Sequence, residues 1–187
     1  NYYTEKPKMQ KEIEDNDLSF IYNDIEVPLA KVLFDMEENG FKIDENMLND
    51  LAKLYSEELE ETTQKIYQEA GQEFNIKSPK QIAEILFDKL GLSDENNKKH
   101  KTDIDVLTLL AGTHPIVPLI IRYRKIQKLY NTYIEVYQKL VREKGNIIHT
   151  IFNQTLTATG RLSSSEPNLQ NIPVRDEEGK NLRKLFI

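Results

Sequence analysis

The run IVPLIIRYRKIQKLYNTYIEVYQKLVR, residues 116–142, decides the fold class. Ile116, Leu119, Ile120, Tyr123, Ile126, Tyr130, Tyr133, Ile134, Tyr137 and Leu140 recur at three- and four-residue intervals, the period of an α-helix with one buried stripe. Off the stripe, Arg124, Lys128 and Thr132 are spaced i, i+4, i+8. They line up as two cations and a hydroxyl able to follow a phosphate backbone. The tyrosines at this spacing are assigned to helix packing rather than to base stacking.

Working back toward the N-terminus, the pattern stays helical. Leu29, Val32, Leu33 and Met36 make an amphipathic segment over Val27 to Met36, with Pro28 at its start and Gly40 as its stop. Phe41, Lys42 and Ile43 alternate like a very short strand. From Asp44, a candidate N-cap, Met47, Leu51, Leu54, Tyr55, Leu59 and Ile66 define a long helix to Gly71, whose outer face carries Glu57, Glu58, Glu60 and Glu61. That cluster reads as a solvated face, not a metal site. Ser78, Pro79, Lys80 and Gln81 form a capping box opening a helix that stops at Gly91. A polar stretch from Ser93 to Lys101 reads as an exposed loop, and Thr102 with Asp105 is expected to cap a short helix. Two helix starts are thus preceded by lysine, Lys77 before one and Lys98, Lys99 and Lys101 before the other. Each could hold a phosphate; ordinary capping is the alternative.

Working forward, the texture changes after Gly145. Residues Ile147 to Thr159 are β-branched with interleaved hydroxyls and amides, a polar segment runs from Gly160 to Arg175, and Leu185, Phe186 and Ile187 read as a strand.

Across all 187 residues there is no cysteine, which excludes a disulfide scaffold, a thiolate metal site and a cysteine nucleophile. No apolar run is long enough to span a membrane, and no secretory signal opens the sequence. The net charge of −6 conceals a division. Residues 1–113 carry 13 Lys and Arg against 25 Asp and Glu, whereas residues 114–187 carry 12 against 6. A basic stretch on an acidic chain is a footprint of local nucleic-acid or membrane contact.

The segment TATGRLSSSEPNLQNIPVR, residues 157–175, adds chemistry of its own. Arg161 is a lone cation between Gly160 and a run of hydroxyls, and Ser163, Ser164, Asn168, Gln170 and Asn171 can each donate or accept hydrogen bonds. The segment closely resembles the signature that opens the palm of family A DNA polymerases, the bacterial DNA polymerase I type. The resemblance extends through residues 25–44, 74–92 and 114–141.

It implies a mainly α fold with a small β portion (α+β), a helical thumb followed by the first strands of a polymerase palm. Residues 1–44 would be connecting helices and a short strand, 45–143 the thumb, and 144–187 the start of the palm. Arg161 would probe the minor groove, where purine N3 and pyrimidine O2 offer nearly sequence-independent acceptors. Asn168, Gln170 and Asn171 would hold the adjacent duplex or order the loop that does, and Ser163 and Ser164 belong to the same DNA-contacting set. Arg124, Lys128, Asn131 and Thr132 would meet phosphates along the thumb, and Lys77, Ser78 and Thr102 near its tip. The resemblance departs at two places: Lys101 stands where a serine is usual, and Tyr130-Asn131 where Lys-Ser is common.

The activity implied is template-directed nucleotidyl transfer by a DNA-directed DNA polymerase in replication and repair. The two magnesium ions, the dNTP and the palm aspartates would belong to regions after Ile187. No catalytic or metal-binding residue is assigned in this chain, Asp103, Asp105 and Asp176 to Glu178 included, so the chain alone is expected to be inactive. The partner implied is primer–template duplex DNA, with no membrane, in a monomeric cytoplasmic protein associated with the nucleoid. A non-catalytic duplex-binding module and a helical scaffold are the alternatives. Strand edges without partners in residues 147–187 lead to the expectation of a poorly anchored C-terminal segment.

Overall fold

A computed structural model describes residues 2–92 and 100–187. Most of the loop expected over Ser93 to Lys101, with Lys98 and Lys99, lies outside the described residues. The fold is α+β, and the chain divides into two compact units, Asn1–Asp44 with Leu140–Ile187, and Glu45–Lys139. Where the sequence suggests three consecutive parts, the structure joins the first and third into one unit.

The Glu45–Lys139 unit is helical. Helix α3 (Glu45–Ala70) buries Leu48, Leu51, Ala52, Tyr55, Thr62, Ile66 and Ala70, a seam with the three-and-four spacing of a packed helix. It packs on α6 (Ile116–Leu129), whose Ile116, Val117, Ile120, Tyr123, Ile126 and Leu129 are buried. Helix α4 (Pro79–Ala83) widens into an i→i+5 bonded turn over Glu84–Lys89, and α5 (Ile104–Leu110) is a single short piece. Their Ile82, Ile85, Leu86, Leu107 and Leu110 complete one apolar core with Ile66, Ala70, Ile116 and Ile120. Beyond α6 the helical path widens again over Tyr130–Ile134 and continues as α7 (Glu135–Lys144).

Tyr123, Tyr133 and Tyr137 are buried, and burial raises the phenol pKa of each above its ordinary value. This is the packing role expected of them. The acidic face of α3 is not wholly solvated, however. Glu58 is turned inward and its Oε1 accepts from Arg122 Nε of α6 at 2.5 Å. Leu54, counted into the seam by period, is 53% exposed instead.

The other unit holds α1 (Tyr2–Asp15), an i→i+5 turn over Ile21–Glu26 that runs into α2 (Val27–Asn39), and the strands. β1 (Phe41–Lys42) pairs antiparallel with β2 (Ile147–Ile148), Phe41 opposite Ile148. Gly40 makes the junction possible: its φ of +67° ends α2, and a Cβ there would stand 2.6 Å from Ile147 Cγ2. β3 (Ile151–Asn153) pairs antiparallel with β4 (Ser163–Ser165), and α8 (Glu177–Arg183) follows, capped by Asp176 Oδ1 on Gly179 N at 2.9 Å.

Of the stripe expected on α2 only Leu33 is buried, while Val32 and Met36 are exposed. The C-terminal segment, in turn, finds partners. Ile43 bridges Phe186, Asp44 N donates to Leu185 O and Ile187 N to Lys42 O, and Leu182 and Leu185 are fully buried. The expectation of loose anchoring assumed unpaired edges, and β1 supplies the missing pairing on both of its sides. Among the described residues no helix is long and apolar enough to cross a membrane.

Truncating Ile120 to Ala in the α3–α6 seam should cost about 3 kcal/mol of unfolding free energy in urea, through lost burial and a residual cavity. Leu54→Ala, at the exposed position that shares the sequence period, should stay within about 0.5 kcal/mol.

Candidate nucleic-acid interface

Each unit presents one candidate surface. In Glu45–Lys139 it is an open groove of about 1060 Å³ between the start of α4, the segment 100–103 and one face of α6. Lys77, Thr102, Arg124, Lys128 and Asn131 all line it, so five of the residues proposed for phosphate contact come together. Ser78 and Thr132 do not line it. At Thr132 the helical path has widened to i→i+5 bonding over Tyr130–Ile134, so an α-helical i, i+4, i+8 row no longer fixes the face that this residue occupies. The linear row read from the sequence therefore closes on Asn131.

Ser78 performs the capping role instead. Its Oγ accepts from Gln81 N at 3.3 Å. The reciprocal half of the capping box is replaced, because Gln81 Oε1 accepts from Asn75 N at 2.7 Å and Ser78 N donates to Asn75 O. At the other helix start the cap is Asp103, not Thr102: Asp103 Oδ1 accepts from Val106 N at 3.1 Å. Thr102 is only 7% exposed. Its Oγ1 accepts from Arg124 Nη2 at 3.1 Å, and its carbonyl accepts from Arg124 Nη1. Burial lowers the pKa of the Arg124 guanidinium, and the neighbouring Asp103 charge opposes that shift.

Two features of the groove escape the sequence reading. A hydrogen-bond ladder climbs α6 from Tyr123 OH to Gln127 Oε1 at 3.1 Å, then from Gln127 Nε2 to Asn131 Oδ1 at 2.6 Å. With its oxygen engaged, Asn131 is left to donate from Nδ2, the polarity an anion requires. The signal was present as Gln127 at i+4 from one partner and i−4 from the other. The second feature is that Lys80 and His100 line the same groove, beside Lys101, which the sequence already places ahead of a helix start. The lining holds five Lys or Arg against Glu84, Asp88 and Asp103. Asp103 is engaged as a cap, and Glu84 and Asp88 sit 3.9 Å from Lys80 and 3.7 Å from His100. The local balance is cationic on a chain of net charge −6.

In the other unit the candidate surface is the β3–β4 hairpin and the loop after it. Thr157 Oγ1 donates to Arg161 O at 2.5 Å, and Gly160 at φ +71° turns the chain so that Arg161 stands exposed. Gln154 Nε2 donates to Glu26 O at 2.8 Å and also to its carboxylate, which ties the start of this loop to the turn before α2. Ser163 Oγ is buried with no partner among the described residues, and Ser164 is 4% exposed. Ser164 Oγ accepts from Leu169 N at 3.0 Å. Both hydroxyls are thus withdrawn from solvent, and that of Ser164 fastens the following loop. Asn168 has the same duty: its Oδ1 accepts from Gln170 N at 3.0 Å and Asn171 N at 3.2 Å. The exposed residues of the set are Arg161, Asn168, Gln170 and Asn171.

Among the described residues no three His, Asp or Glu converge to hold a metal ion. Asp103 and Asp176 are engaged as helix caps.

The model of DNA polymerase family A matches residues 45–187. The chain belongs to DNA polymerase family A. It is 45% identical over 184 residues to DNA polymerase I of Bacillus subtilis, a match covering 97% of this chain and 21% of that protein. With DNA polymerase I of Geobacillus stearothermophilus the identity is 46% over 185 residues, covering 98% of this chain and 21% of that protein. A solved structure described as the POL domain of Pol1 from M. smegmatis, complexed with DNA primer-template and dNTP, superposes with a TM-score of 0.81 at 35% identity. That superposition covers 95% of this chain and 32% of that one. The chain therefore spans about 21% of the length of these curated polymerases.

Asn168→Ala should cost about 1 kcal/mol in urea unfolding, because it leaves two loop N–H groups without their acceptor. Arg161→Ala, at an exposed position, should change stability by less than about 0.5 kcal/mol. Equal effects would mean that Asn168 does not order the loop.

Proposed function

We propose that this chain is the thumb and the beginning of the palm of a DNA-directed DNA polymerase, and that its task is to grip the primer–template duplex without regard to sequence. The observation that carries the reading is the cationic groove, formed by residues drawn from three separate segments of a family A chain. Lys77, Lys128 and Asn131 meet phosphate oxygens there. Arg124 and Thr102 belong to the same wall, and Ser78 holds the start of α4 so that Lys77 stays at the rim. Neutralising phosphates in this way releases condensed counterions, which gives affinity that is blind to base sequence and steeply dependent on salt.

The hairpin surface contributes a different kind of contact. Arg161, exposed and fixed by the Thr157 bond to its own carbonyl, probes the minor groove, where every correct pair offers an acceptor at purine N3 or pyrimidine O2. Gln170 and Asn171 lie on the loop that Asn168 organises and add neutral donors beside it. Residues 45–143 form the thumb on this reading, residues 144–187 the opening of the palm, and residues 1–44 their base. Nucleotidyl transfer, with the dNTP and magnesium ions, belongs to the remainder of the polymerase, and this chain alone is inactive, monomeric and without a membrane partner. The similar M. smegmatis structure is a complex with DNA primer-template, which supports the choice of partner.

Fluorescence anisotropy with a labelled primer–template duplex tests this. Between about 50 and about 200 mM salt, affinity should fall about tenfold or more, and a Lys77→Ala, Lys128→Ala double variant should bind more weakly with a shallower salt dependence. A folded chain that fails to bind, or binds with no response to salt, would contradict the proposal.

A further inference from the structure

We infer that Arg124 serves DNA binding as a positioning residue, latching Thr102 to α6 so that the wall of the groove is held in place, while the direct phosphate contact on this helix is made one turn on by Lys128. The inference rests on the reading under Proposed function and divides labour within it.

The geometry separates the two cations. Arg124 donates twice to a single residue that is 22 positions earlier, to Thr102 O through Nη1 and to Thr102 Oγ1 through Nη2. A planar guanidinium bound in this forked way is fixed in orientation, which a lysine could not reproduce. Thr102, at 7% exposure, is too deep to meet a phosphate itself, so its hydroxyl acts on Arg124 and not on DNA. The residue after it, Asp103, caps α5 through Val106 N, and Asp103 O accepts from Leu107 N at 3.0 Å. Fastening Thr102 therefore fixes the start of α5 and, with it, the 100–103 edge of the groove. Lys128 is exposed, lines the same groove and has no partner among the described residues.

Salt titrations of duplex binding with single variants distinguish the roles. Lys128→Ala should reduce the slope of log affinity against log salt by about 0.9, the signature of one lost phosphate contact. Arg124→Ala should weaken binding by about tenfold, the loss of a charged hydrogen bond, and leave that slope as in the wild type. Thr102→Val, which keeps the shape and removes the hydroxyl, should weaken binding in the same slope-neutral way. Combining it with Arg124→Ala should add nothing further, because both changes break one latch. Arg124→Lys should behave as Arg124→Ala does, since charge is kept and the fork is lost.

A slope reduced by about 0.9 in Arg124→Ala, with Thr102→Val binding as wild type, would overturn the inference and make Arg124 a direct phosphate ligand. So would full rescue by Arg124→Lys. Amide hydrogen exchange gives a readout without DNA: Val106 and Leu107 should lose protection in Arg124→Ala and in Thr102→Val, while Ile120 keeps its own, which also reports that the variants are folded. Unchanged protection at Val106 and Leu107 would overturn the latch. A folded wild-type chain that binds no duplex overturns the functional reading and this inference together. Failure of the inference alone leaves wild-type binding intact.

Discussion

The seam between α3 and α6 is the constraint on which the helical unit depends, because α6 is the element that every neighbour uses. Its buried stripe faces α3, α4 and α5 through one continuous apolar core. Two arginines two residues apart then point roughly 200° away from each other around the helix axis. Arg122 reaches Glu58 on α3, and Arg124 reaches Thr102 ahead of α5. Lys128 and Asn131, on the same side of the helical path as Arg124, stay exposed. The groove is therefore a by-product of packing that has been left cationic, and a change in the seam would alter it even where no groove residue is touched.

The sequence made the helices legible wherever burial follows a helical period over many residues. The α6 stripe, the α3 seam and the stops at Gly40 and Gly71 could be read because apolar spacing and positive-φ glycines are local signals. What could not be read depended on partners distant in sequence. Glu58 counts as part of a solvated acidic face until Arg122, 64 positions on, is seen beside it. Leu54 fits the α3 period but faces outward, since a stripe wider than its partner helix leaves one edge uncovered. The strands escape recognition as a sheet for the same reason. Each is two or three residues long; β3 and β4 pair as a local hairpin, whereas β1 finds its partner β2 about a hundred residues away.

The candidate site divides along the same line. Residue types were legible, because Lys, Arg, Asn and Thr ahead of helix starts and along one helix side are the groups that meet phosphates. Roles were less so. The Ser78 cap and the loop-ordering role of Asn168 could be read, but Asp103 rather than Thr102 caps α5, Ser164 fastens a loop, and Thr102 receives an arginine. Polar residues in short elements serve the backbone first, since each unmatched N–H there would otherwise be costly. Membership of family A gives these assignments their context.

The central claim is that the cationic groove of the helical unit is the face that meets the duplex. Lysine acetylation footprinting, read by mass spectrometry with and without a primer–template duplex, tests it most directly. Lys77 and Lys128 should be protected by DNA, while Lys53, exposed on α3 beside Glu57, should react equally in both states. Protection of Lys53, or unchanged reactivity at both groove lysines under saturating duplex, would contradict the account.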